Sequence, residues 1–125
     1  MGVFNPMNWH SLRNLRRSSD NEIFADVRVG PDSGWFSGHF PGKPILPGIA
    51  QLAMVSDAIR QAEGKDLSIS SIKKIRFRQP VKPDDELKIV VTPVRGEIYS
   101  FCIRLKGETA CSGTISMKPV LEIGN

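Results

Sequence analysis

The chain has 125 residues and a formal net charge of +4, with 40% hydrophobic and 24% charged residues. That composition fits one globular domain and excludes a disordered or fibrous chain. No apolar run approaches the ~18 residues of a membrane span, and the basic start (Trp9, His10, Arg13, Arg16, Arg17) lacks the apolar segment of a secretory signal.

Cys102 and Cys111 lie nine apart without a CxxC or a nearby histidine. The expectation is two buried free thiols in a reducing cytoplasm, with no zinc site and no cofactor. The basic residues fall into two local groups, Arg13–Arg17 and then Lys73, Lys74, Arg76, Arg78 and Lys82. With no recognition helix or aromatic stacking motif beside them, nucleic acid is not expected. The second group reads as the wet face of a strand, or as a dock for an acidic protein.

In chain order, residues 6–17 carry Trp9, Leu12 and Leu15 at helical spacing and predict a short helix within an N-terminal segment of residues 1–20. Glu22 to Val29 alternates, with Ile23, Ala25, Val27 and Val29 on one side, as a half-buried strand does. A Pro/Gly-rich loop follows: Gly38-His39-Phe40-Pro41-Gly42-Lys43-Pro44-Ile45-Leu46-Pro47-Gly48. Pro47 to Ala62 then reads as the principal helix, apolar nearly all round and so buried on most sides, with Gly64 as its stop.

Everything after Gly64 is strand-like. Ile75 and Phe77, then Leu87, Ile89 and Val91, then Tyr99, Phe101, Ile103 and Leu105 alternate with polar neighbours. Lys106-Gly107 suits a hairpin into a last strand over residues 109–117, and residues 119–125 form a loose tail. One strand, one apolar helix and about four antiparallel strands make a single α+β domain over residues 1–125. Its sheet must curl around the helix, and its edges invite a second copy. That describes a hotdog fold.

His39-Phe-Pro-Gly-x-Pro-x-x-Pro-Gly48 closely resembles the signature of the 3-hydroxyacyl-[acyl-carrier-protein] dehydratases of bacterial fatty-acid synthesis and their hotdog relatives. Ile75 to Asp85 (IRFRQPVKPDD) is similar to a second segment of that family, and the likeness covers roughly residues 22–118 in the same order. The resemblance implies that His39 handles the α-proton of an acyl thioester, suited by an imidazole pKa near neutrality. It implies oxyanion donors at the N–H groups of Gly48 and Ile49, with Phe40 and Pro47 beside the substrate. Acyl carrier protein or coenzyme A would bear the acyl group, and the assembly would be a homodimer or a higher oligomer of dimers.

One position departs. The family's second catalytic residue, a Glu or Asp, falls on Ala53, and the next carboxylate on that face is Asp57, one turn on. Asp57, with Ser56 beside it, is therefore the candidate acid, against the alternative that it only anchors a loop or a partner. Gln51 is polar where the dehydratases carry an aliphatic residue. The wording Pro-Gly-Ile-Ala-Gln-Leu is closer to a side branch associated with aryl-polyene and related lipid pathways. Thioester hydrolysis and a non-catalytic acyl- or carrier-binding role are the alternatives to dehydration. The family's tunnel-lining run before the first strand has no counterpart here. Trp35, Phe36, Phe40 and Met54 are candidates to line a tunnel, although core packing is the commoner fate of such residues.

Overall fold

The computed structural model describes residues 9–36 and 45–120. Six strands form one antiparallel sheet: β1 (Leu12–Arg17), β2 (Ile23–Arg28), β3 (Leu67–Phe77), β4 (Glu86–Arg95), β5 (Ile98–Leu105) and β6 (Glu108–Pro119), in the order β1-β2-β4-β5-β6-β3. One long helix, α1 (Gly48–Glu63), lies against it. This is the hotdog arrangement that the apolar helix implied.

The core comes from simple alternation carried across the sheet. Ile23 faces Val91 and Val91 faces Phe101; Ala25, Ile89 and Ile103 make a second row; Val27, Leu87 and Leu105 a third. All nine are buried, and such cross-strand rows are the unit in which a sheet is stabilised. Against them α1 buries Ala50, Met54, Val55, Ala58 and Ile59. Gly64 ends the helix in the left-handed conformation (φ 64°), its N–H bonded to Arg60 O at 2.9 Å.

Two expectations are corrected. Residues 12–17 are a strand, not the end of a helix: Leu12 pairs with Val27 and Arg16 with Phe24, with a bulge between Arg13 and Arg16 where Asn14 takes φ 54°. The extra residue turns a period of two into a period of three, so Leu12 and Leu15 both turn inward at what reads as helical spacing. The start of the expected helix lies outside the described residues.

The helix is also less enclosed than its apolar circumference implied, since Ile49 is 71% exposed and Leu52 and Ala53 are only partly covered. Among the described residues no helix is long and apolar enough to cross a membrane.

Candidate active site

Along the uncovered face of α1 runs an apolar groove of about 770 Å³. Ile49, Leu52, Ala53 and Ser56 form its helical wall, and Ile69, Ile72, Ile75 and Phe77 of β3 form the other. Three isoleucines spaced three apart share one side of a strand because the register of β3 shifts twice, between Ile69 and Ser71 and between Lys73 and Arg76, with Lys74 at φ 56°. The far end is polar, with Ser56 and Arg60; the Ser56 hydroxyl donates to Ala53 O at 3.1 Å. No carboxylate lines the groove among the described residues.

The near end of the groove is the N-terminus of α1. Pro47 caps the helix without a side-chain hydrogen bond, and no acidic residue stands in the first turn. The N–H groups of Ala50 and Gln51 turn back to Pro47 O, at 3.1 and 3.3 Å. Those of Gly48 and Ile49 have no acceptor among the described residues, so two amide donors and the positive end of the helix dipole stand at residues that line the groove. At Gly48 a Cβ would come within 2.7 Å of the Phe77 ring, so the absent side chain is what lets strand and helix close here.

Asp57 belongs to a different cluster. Its Oδ2 lies 3.4 Å from His10 Nε2, a close contact without good hydrogen-bond geometry, and Oδ1 accepts from Gln61 Nε2 at 3.1 Å. The Trp35 indole N–H donates to His10 Nδ1 at 3.2 Å, which leaves the proton of a neutral imidazole on Nε2, facing Asp57. Trp9 packs edge-on against Trp35, ring centres 4.9 Å apart. Burial alone would raise the Asp57 pKa, but the His10 and Gln61 side chains, with the nearby charge of Arg60, bring it below its ordinary value. Asp57 is thus an ionised latch between α1 and the segment before β1.

Of the sequence-derived candidates, the structure brings Gly48 and Ile49 together at the groove mouth, and Pro47 and Gly48 line an adjoining depression. His39 and Phe40 lie outside the described residues. Asp57 is next to Ala53 along the helix but does not line the groove. Trp35, Phe36 and Met54 are buried in the core. Sequence reasoning missed the role of His10, whose partners lie 25 and 47 residues away with no local signal. It also missed Ile69 and Ile72, hidden by bulges at residues that are not glycine. Among the described residues no group of three His, Cys, Asp or Glu is placed to hold a metal ion.

A family model for ApeI-like proteins, described as ApeI dehydratase, matches residues 15–114. The chain belongs to the ApeI-like dehydratase family. Among solved structures similar to this family member is the dehydratase heterocomplex ApeI:P from Xenorhabdus doucetiae. The match has a TM-score of 0.77 at 27% identity, over 86% of this chain and 96% of that one. The bifunctional enzyme LpxC/FabZ of Chlorobaculum tepidum is 32% identical over 118 residues, 85% of this chain and 25% of that protein. The 3-hydroxyacyl-[acyl-carrier-protein] dehydratase FabZ of Lactococcus lactis is 35% identical over 89 residues, 64% of this chain and 59% of that protein. This ApeI-like chain therefore spans less than two thirds of the length of these two curated relatives.

Proposed function

We propose that the chain dehydrates a 3-hydroxyacyl thioester to the enoyl thioester. The acyl chain lies along the α1–β3 groove and the thioester carbonyl lies at Gly48 and Ile49. The observation that carries this reading is an apolar groove that begins at two amide N–H groups with no acceptor among the described residues. Removing the α-proton throws negative charge onto the thioester oxygen, and preorganised donors at a helix N-terminus lower the cost of that charge.

His39 takes the α-proton. The acid is supplied by the same residue. Asp57, held below the ordinary carboxylate range, is ionised at neutral pH and has no proton to give. The imidazolium formed in the first transfer has one, and it protonates the leaving 3-hydroxyl. The Cα–H and Cβ–O bonds break, the carbon–carbon double bond forms, and water leaves with the imidazole restored.

The carrier is acyl carrier protein or coenzyme A, as the FabZ relatives' name supports for the former. Lys73, Lys74, Arg76 and Arg78, exposed and without a carboxylate partner among the described residues, suit an acidic carrier. A second copy of the chain covers the groove, burying Ile49, Ile72 and Phe77, which are 71%, 39% and 53% exposed.

The test is an assay of 3-hydroxyacyl thioesters for enoyl formation, run beside one for free thiol. Enoyl product is expected, and His39→Ala should lose ~10²–10⁴-fold in rate while keeping its fold. Ala53→Glu places a carboxylate in the groove and should raise the rate. Thiol release without enoyl product would replace the reading with thioester hydrolysis.

A further inference from the structure

Two depressions, not one, meet at the start of α1. The second, of about 490 Å³, runs between Leu46–Pro47 and the residues that follow β3, Arg78 and Gln79. It shares Gly48 and Phe77 with the apolar groove. The two differ in lining, since the first is walled mainly by isoleucine, leucine and alanine, whereas the second has two carboxamides and a guanidinium.

One of those carboxamides has an oxygen without a hydrogen-bond partner among the described residues. It belongs to Gln51, which is 3% exposed and whose Oε1 accepts no hydrogen bond from the described residues. Its backbone N–H bonds to Pro47 O within the first turn of the helix. A buried amide left unpaired destabilises the fold, and such groups are rare in native proteins. Side chains of a helix lean toward its N-terminus, so this carboxamide lies toward the end where Gly48 and Ile49 present their amides. Its last torsion is soft, and a half-turn exchanges acceptor for donor.

We infer that this second depression receives the carrier arm of the thioester, an amide-bearing chain of the pantetheine kind, and that Gln51 pairs with the amide nearest the sulfur. This rests on the reading that a thioester sits at Gly48. With the carbonyl at the junction, the acyl chain runs along the isoleucine wall and the sulfur side enters the second depression, where Gln51 lies. The first amide of the arm, two carbons from sulfur, both donates and accepts, which matches a carboxamide that can do either.

The probes are two thioesters of one saturated acyl group, which cannot be dehydrated. One is the N-acetylcysteamine ester, which keeps the first amide, and the other is the S-pentyl ester of the same length, which lacks it. Calorimetry on the whole chain should give tighter binding of the amide ester by roughly tenfold. In Gln51→Leu and Gln51→Met that ratio should fall to about one through loss on the amide ester alone. Tm should rise by a few degrees, because an unpaired buried amide has been replaced by an aliphatic chain of similar size.

A ratio that survives in both variants, or a Tm that falls in both, overturns the inference. So does finding that Gln51→Leu instead erases discrimination between 3-hydroxyacyl and saturated acyl esters, because Gln51 would then read the hydroxyl. Wild-type chain that dehydrates its substrate but binds the two probes equally removes the inference and leaves the dehydratase reading standing. Binding of neither probe with no turnover removes both. Coenzyme A and holo acyl carrier protein bearing the same acyl group share the arm, so both weaken in Gln51→Leu. The one that wild type binds more tightly is the source.

Discussion

At one edge of the sheet, β1 carries its charges in pairs. Arg13 meets Glu86 at 2.9 Å, Asn14 meets Asp26 at 2.9 Å, Arg17 meets Glu63 at 3.2 Å, and the Arg16 guanidinium lies over the Phe24 ring. At the other edge, Lys73, Lys74 and Arg76 of β3 and Arg78 just after it have no such partners among the described residues, and Ile72 and Phe77 stand exposed beside them. Both strands use the same device, a bulge with a non-glycine residue at positive φ, Asn14 in one and Lys74 in the other. In β1 the bulge turns Leu12 and Leu15 toward the core; in β3 it turns Ile72 and Ile75 toward an open groove. Exposed ion pairs contribute under ~1 kcal/mol each, so the contrast is not one of stability. One edge is satisfied within the chain and the other is left for partners.

The largest expected effect tests that contrast on assembly. Phe77→Glu or Ile72→Glu puts a carboxylate on the open face and should weaken self-association by ~30-fold or more, the scale of losing a buried anchor. Arg13→Ala at the sealed edge should leave it unchanged. Sedimentation over a concentration series reads both, and equal effects at the two edges would end the comparison. Next in size, reversing Lys73, Lys74, Arg76 and Arg78 to Glu should slow association with an acidic carrier by roughly tenfold at low salt, with the difference shrinking as salt rises. Reversing Arg13 and Arg16 should not.

Much of the core side was legible because its period is plain. Leu87, Ile89, Val91, Tyr99, Phe101, Ile103 and Leu105 are all buried where alternation put them, and α1 was read to within a residue at either end. Both edges were harder. A bulge changes the period without any mark in residue type, so β1 reads as helix and the groove wall of β3 reads as half of itself. At the site, the motif located the helix N-terminus and Ala53. Asp57 could not be judged from spacing, because its partner His10 comes from a segment that the sequence gives no reason to bring there.

That latch gives the next prediction. Trp35→Phe keeps a ring against Trp9 but removes the donor to His10, and should cost ~1 kcal/mol, whereas His10→Ala, which leaves a cavity as well, should cost ~2–3 kcal/mol. Asp57→Asn should show its loss at neutral pH only. The folded pKa of Asp57 is lowered, so the stability it contributes is present above the ordinary carboxylate range and is lost as pH falls through the folded value. Wild type and Asp57→Asn should therefore converge in Tm on acidification. A gap that persists to low pH would mean that the carboxylate charge is not what holds His10.

The smallest effect is at the opposite end of the titration scale. The Tyr99 hydroxyl donates to Glu63 Oε2 at 2.5 Å, and Glu63 is also held by Arg17 of β1, so β5, α1 and the sealed edge share one carboxylate. Burial and the Glu63 charge push Tyr99 from 10.0 up to about 12. The folded chain thus keeps a proton that the unfolded chain gives up. The stability from this contact is whole below pH 10 and declines as pH rises toward about 12. Tyr99→Phe should lower Tm slightly at neutral pH, by the ~1 kcal/mol of one partly buried hydrogen bond. It should also flatten the alkaline decline, so that the two curves cross or meet in that window. A constant offset across it would place the stabilisation in the Tyr99 ring rather than in the bond that ties the sealed edge to the helix.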